Sequence, residues 1–97
     1  MKTLEEVQAI LSQFKPVVQE KYHVSELGIF GSYVRGEQND DSDVDVLIDY
    51  TEAPSLLKLI DLENYLSEHL GIQADVVTKN GLKPRYRERI LAEVVYV

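Results

Sequence analysis

The chain has 97 residues, and 10 Lys and Arg against 17 Asp and Glu give it a net charge of −7. That length accommodates one domain, and 44% hydrophobic with 28% charged residues is the composition of an ordinary globule. With no cysteine there is neither a disulfide framework nor a thiolate metal site, no apolar run nears the ~20 residues of a membrane span, Met1–Glu6 lacks the apolar stretch of a signal peptide, and the excess of acid argues against a broad nucleic-acid face.

The expected compartment is therefore the cytoplasm, with no membrane partner and no direct nucleic-acid binding. Thr3-Leu4-Glu5-Glu6 reads as a capping box. Leu4, Val7, Leu11, Phe14 and Val18 follow at spacings of three and four, the stripe of an amphipathic helix ending near Tyr22 or His23. Pro16 is expected to kink or split it. Leu27-Gly28-Ile29-Phe30 is a short buried strand running into a turn at Gly31-Ser32, and Tyr33-Val34-Arg35 forms one helical turn stopped by Gly36. After a polar loop over residues 37–42, Asp43 to Tyr50 alternates as a strand. Val44, Val46, Ile48 and Tyr50 share one side; Asp43, Asp45, Leu47 and Asp49 share the other.

Ala53-Pro54-Ser55 starts a second long helix, carried by Leu56, Leu59, Leu62, Leu66 and Leu70 and stopped by Gly71. Ile72 to Thr78 is a β-branched strand broken by Asp75, Asn80-Gly81 is a turn, and Pro84 suits the first turn of a last helix. Tyr86, Ile90 and Val94 mark the inner face of that helix; Val94–Val97 can instead form a short edge strand, a route to self-pairing. The order helix, strand, strand, helix, strand, helix predicts an α/β domain with a small mixed β-sheet packed with helices. It is read as a single domain over residues 1–97. Residues 1–23 form the N-terminal helix, 26–78 the core that holds the candidate functional residues, and 79–97 a basic C-terminal helix and tail.

The chemistry concentrates in Gly31-Ser32-Tyr33-Val34-Arg35-Gly36 and Ser42-Asp43-Val44-Asp45. Residues i and i+2 of a strand share a face, so Asp43 and Asp45 project into the same space and repel unless a cation lies between them. Carboxylate oxygens without soft ligands suit Mg²⁺ or Mn²⁺. Asp75 lies among apolar residues, a costly position unless paired or metal-bound; beside the Asp43–Asp45 strand it would complete a three-carboxylate cluster able to hold two Mg²⁺ ions. The Gly31-Ser32 turn lets backbone approach a ligand closely and offers an anion site for the β- and γ-phosphates of a nucleotide. Arg35 can reach a phosphate or pair with Glu37 or Asp40. Lys83 with Arg87 and Arg85 with Arg89 form two basic ridges, for an acidic partner, the triphosphate or solvent. Asp49 falls outside the cluster, Tyr33 and Tyr50 are better read as core than as base-stacking residues, and His23 and His69 as surface residues.

Gly31-Ser32-x-x-Arg35-Gly36, followed by Ser42-Asp43-x-Asp45-Val46-Leu47-Ile48, resembles the active-site signature of the polymerase-β-type nucleotidyltransferase superfamily. The short length points to its minimal nucleotidyltransferase (MNT) branch. The resemblance extends through Ala74–Thr78, Leu82-Lys83-Pro84, Arg87–Leu91 and Val95–Val97, and covers residues 26–97. It implies a polymerase-β-like fold and the antitoxin half of a HEPN/MNT toxin–antitoxin pair. It implies transfer of AMP from the substrate ATP to a tyrosine of the HEPN ribonuclease toxin. The family's metal aspartates map onto Asp43, Asp45 and Asp75, and its phosphate turn onto Gly31 and Ser32. Asp75 becomes the candidate for helping, through a shared metal, to deprotonate the acceptor hydroxyl. Length supports a protein acceptor independently, since 97 residues leave no room for an acceptor domain. A non-catalytic antitoxin that neutralises by binding, and a nucleotidyltransferase acting on a small molecule or RNA end, stay open as alternatives.

Overall fold

The computed structural model describes residues 1–97. Helix α1 (Leu4–Tyr22) starts at the capping box: the Thr3 hydroxyl accepts from the Glu6 N–H at 3.2 Å and Glu6 Oε1 from the Thr3 N–H at 3.1 Å. It buries Val7, Leu11, Val18 and Tyr22 and ends at His23 in the left-handed region, φ 57°. Pro16 does not split it. An interior proline costs ~3 kcal/mol, but Leu11 and Val18 on either side are fully buried, so packing holds the helix through the defect.

Strand β1 (Val24–Phe30) begins three residues before the expected Leu27, because Val24 is buried and pairs with Tyr50. It runs into α2 (Ser32–Arg35), a single turn closed by Gly36. Strand β2 (Val44–Tyr50) leads to α3 (Leu56–Leu70), whose first turn is capped by the Ser55 hydroxyl accepting from the Lys58 N–H at 3.2 Å. Strand β3 (Ala74–Thr78) follows, shorter than the predicted Ile72–Thr78, then a 3₁₀ turn, α4 (Pro84–Glu93) and β4 (Val95–Tyr96). The C-terminus thus ends as the edge strand, with the helix stopping at Glu93.

The sheet order is β3-β2-β1-β4, with β1 antiparallel to both β2 and β4 and β2 parallel to β3. The sheet is mixed, as the element order predicts. Helices α1 and α3 cover one face, where Val7, Leu11, Ile29, Val46, Ile48, Leu62 and Leu66 belong to one continuous core. Leu47 on the aspartate side of β2 is also buried, outside that core. Helix α4 contributes no buried residue. His69 is exposed but not isolated: one turn beyond Tyr65 on α3, its ring stacks on Phe14 of α1 with centroids 4.0 Å apart. No helix is long and apolar enough to cross a membrane.

One consequence of this topology positions the site. Parallel strands β2 and β3 start at the same end of the sheet, and antiparallel β1 finishes there. Leu66, 1% exposed, packs α3 onto the sheet that holds this alignment. Leu66→Ala is expected to lower unfolding free energy by about 2–5 kcal/mol in urea denaturation followed by circular dichroism; a loss under about 1 kcal/mol would contradict its place in the core.

Candidate active site

Asp45, at the start of β2, has Phe30 of β1 as its register partner on one side and Asp75 of β3 on the other. Residues paired directly across neighbouring strands present side chains on the same face. Asp43 precedes the strand by one residue and faces Asp75. It is set there by a tight polar loop in which Ser42 Oγ accepts from the Asn39 N–H at 2.9 Å and Asn39 Oδ1 from the Asp41 N–H at 2.8 Å. The Val44 N–H then joins the Gln73 carbonyl at 2.9 Å, locking the entry of β2 to that of β3. Asp43 is exposed, while Asp45 and Asp75 are half-buried. The fold therefore brings together the three aspartates singled out in the sequence.

The end of β1 supplies the opposite wall. Gly31 has φ 82° and ψ −151°, and a Cβ there would run into Asp45 Oδ2. Only glycine satisfies both conditions, the positive φ and the close approach. The Gly31-Ser32 turn thus backs directly onto the Asp45 carboxylate. Its amide is not free for an anion: the Gly31 N–H donates to Glu93 Oε2 at 2.8 Å. Arg35 is likewise engaged, Nε donating to Glu37 Oε1 at 2.7 Å and Nη1 to Glu93 Oε1 at 2.9 Å. Glu93 was not visible as a site residue, because it lies 62 positions from Gly31 in the chain and nothing in its local pattern distinguishes it.

Electrostatics follow from this crowding. Asp45 is pushed up from 3.8 to about 6, first by burial, then by the charges of Asp75 and Asp43; Arg35 opposes the rise and Glu93 adds to it. Asp75 is raised by burial and by Asp43, with Glu63 adding and a Gln73 hydrogen bond opposing. Tyr33 is 3% exposed, a core residue whose hydroxyl is raised by burial and by Asp40 and Asp43.

Other residues lie apart from the cluster. Asp49 pairs in register with Glu26 near the other end of β2. The Tyr50 hydroxyl accepts from Asn80 Nδ2 at 3.3 Å. On α4, Arg87 donates to the Lys79 carbonyl at 2.7 Å, while the Arg85 and Arg89 guanidiniums lie 4.6 and 5.6 Å from the Tyr86 ring centre. The largest cavity, about 430 Å³, is lined by Lys2, Glu6, Tyr33, Asn39 and Asp40 among others and by none of the three aspartates, which line neither of the two smaller cavities. Asp43 is exposed and Asp45 and Asp75 are partly so, outside any of these cavities. No three acidic or histidine side chains are gathered tightly enough to form a metal cage by themselves.

The model of the nucleotidyltransferase domain matches residues 11–97. A curated relative, the protein adenylyltransferase MntA of Thermococcus cleftensis, is 53% identical over 97 residues, covering 100% of this chain and 98% of the relative. A solved structure provisionally described as a minimal nucleotidyltransferase superposes with a TM-score of 0.82 at 33% identity, over 97% of this chain and 95% of its own. The complex of a tri-AMPylated HEPN toxin with an MNT antitoxin from Shewanella oneidensis contains a chain of the same fold: TM-score 0.70, 13% identity, 93% of this chain and 70% of that one.

The raised Asp45 carboxyl predicts a pH signature in metal-free protein. The fold favours its protonated form, so its stability contribution is fully present below the unfolded value of 3.8 and is lost as pH rises through about 6. Asp45→Asn is therefore expected to stabilise the protein at pH 7.5 by about 1–2 kcal/mol, discounted for solvent screening, and to leave stability nearly unchanged at pH 3.5. Urea titrations of both proteins with chelator present check this; equal effects at the two pH values would contradict it.

Proposed function

The chain belongs to the minimal nucleotidyltransferase branch of the nucleotidyltransferase-domain family and is a nucleotidyltransferase, and on that premise we propose that it is a cytoplasmic protein adenylyltransferase that moves AMP from ATP to a tyrosine of a HEPN-type toxin and so acts as its antitoxin. The observation that carries the reading is the register pair Asp45–Asp75, with Asp43 facing it and the Gly31-Ser32 turn directly behind Asp45. The name of the Thermococcus relative and the composition of the Shewanella complex support the adenylyl group and the HEPN partner. An open rather than enclosed site suits an acceptor that is a side chain on another protein.

The donor set fits Mg²⁺. It is all oxygen, and burial together with the neighbouring aspartates raises two of the carboxyls. Mg²⁺ ordinarily takes one or two carboxylates and completes its shell with water and substrate phosphates rather than with an all-protein cage, which suits three aspartates that do not close around an ion unaided. Asp43, Asp45 and Asp75 would hold it, two ions being the proposed number. When bound, the metal supplies charge stabilisation for the transferring phosphoryl group.

The chain's own residues divide the remaining work. The Gly31-Ser32 turn, with the Ser32 hydroxyl, orients the β- and γ-phosphates toward the end of β1. Asp75, in register with Asp45 and facing Asp43, is the residue proposed to help with the acceptor proton. It takes the proton of the acceptor hydroxyl as that oxygen bonds to the α-phosphorus. The bond from the α-phosphorus to the bridging oxygen breaks in line, and pyrophosphate leaves on the Ser32 side.

The test is transfer of label from ATP marked at the α- or the γ-phosphate, with Mg²⁺ and, as acceptor, the product of the neighbouring open reading frame. Label is expected on the partner from the α position only. Asp43→Asn with Asp45→Asn is expected to cut the rate about a hundredfold or more. No label from either position, with the partner still bound and inhibited by both proteins, would instead establish neutralisation by binding. Label on a small molecule or RNA end without a protein acceptor would establish the other alternative.

A further inference from the structure

Glu93 takes no part in the scheme above, yet it ties the C-terminal segment to the turn that faces the nucleotide. Its two oxygens serve different donors: Oε2 accepts from the Gly31 N–H at 2.8 Å and Oε1 from Arg35 Nη1 at 2.9 Å. The side chain is 14% exposed. Burial alone would raise its carboxyl, but the Gly31 amide and Arg35 outweigh burial and hold it below its ordinary value, so it stays charged.

Glu93 is itself held from behind. Two residues on, β4 pairs with β1 through Val95 with Ile29 and Tyr96 with Gly28. The Val97 N–H donates to the Leu27 carbonyl at 2.9 Å. A Cβ on Gly28 would come within 2.6 Å of Val94 Cγ2, so the segment lies directly on the strand. The strand that delivers the turn therefore also anchors the residue that grips it.

The turn needs such a grip. Helix α2 has only four residues and no side-chain cap, and so short a helix has little stability of its own. Gly31 has more conformational freedom than any other residue type would. Behind it stands Asp45 Oδ2, with no room for even a methyl group between them. A small rotation at Gly31 would change the placement of Ser32 relative to the aspartates.

We infer that Glu93 is a positioning residue for nucleotidyl transfer: through the Gly31 amide and the Arg35 guanidinium it fixes the Gly31-Ser32 turn against Asp45, so that triphosphate and carboxylates meet in one register. The inference rests on the proposed use of ATP at this site. Its effect falls on the nucleotide side of the reaction. Misplacement of a binding group by about 1 Å can cost about a hundredfold in rate, whereas Glu93, with its side chain 14% exposed, offers little surface to an acceptor protein.

The experiment compares the wild type with Glu93→Gln and Glu93→Ala. It measures KM and kcat with ATP and acceptor varied in turn, affinity for a non-hydrolysable ATP analogue with Mg²⁺, and thermal melting. Glu93→Gln keeps an acceptor for the Gly31 N–H and loses the charge that binds Arg35. It is expected to reduce kcat/KM for ATP about tenfold, and Glu93→Ala about a hundredfold, with acceptor KM within about twofold and melting still cooperative. If Glu93→Ala does not fold, Glu93→Gln decides. Unchanged kcat/KM for ATP in a folded variant, beside an active wild type, would overturn the inference. So would an equal loss for both substrates that tracks the folded fraction, which marks a structural role alone. A wild type that neither binds the analogue nor transfers label would overturn the reading beneath it, and this inference with it.

Discussion

Two aspartates placed side by side on neighbouring parallel strands organise this molecule. Asp45 and Asp75 occupy the same register position in β2 and β3, half out of water, with Asp43 beside them. Burying these carboxylates beside one another opposes folding, as the upward push on Asp45 and Asp75, first from burial and then from their neighbours' charges, records. The core on the other face of the sheet sustains it: α1 and α3 fasten the strands through fully buried Leu11, Val18, Ile29, Val46, Leu62 and Leu66. That cluster is the feature on which the proposed cation site rests.

The rest of the site follows from strand direction. Because β1 runs against β2, its C-terminal end reaches the same edge of the sheet where β2 and β3 begin. The turn that leaves β1 must then pass directly by Asp45, and glycine is the residue whose size and backbone freedom permit it. The C-terminal segment closes the arrangement by returning to β1 as β4 and presenting Glu93 to the turn. The Gly31-Ser32 turn and the C-terminus are thus coupled through one strand, although they are remote in the chain.

Much of this was legible in the amino-acid order, and the limits are physical. Period-two alternation in β2 and the apolar stripes of α1 and α3 report local geometry, so those elements and the shared face of Asp43 and Asp45 could be read directly. Asp75 could be flagged because a carboxylate in an apolar strand demands an explanation, but its partnership with Asp45 depended on strand order, which the sequence constrains only through the connecting helix. Arg35 had several partners within reach on paper, and Glu93 was not among them, since its contact to Gly31 spans most of the domain. Pro16 does not split α1 for the complementary reason: its local cost is real, but tertiary burial at Leu11 and Val18 exceeds it. His69 gained a partner in Phe14 by helix packing that no local pattern announces.

The central claim is that nucleotide and divalent cation meet at the end of the sheet shared by Gly31, Asp43, Asp45 and Asp75. The direct measurement is paramagnetic broadening of backbone amide signals in isotope-labelled protein on adding Mn²⁺ with a non-hydrolysable ATP analogue. The account predicts loss of signals at Gly31, Ser32, Val44, Asp45 and Asp75, with those at His23, Thr51 and Glu52, gathered at the opposite end where the Thr51 N–H meets the His23 carbonyl at 2.9 Å, left sharp. Broadening centred instead on the cavity beside Lys2, Asn39 and Asp40, or none at millimolar Mn²⁺ and nucleotide, would contradict it.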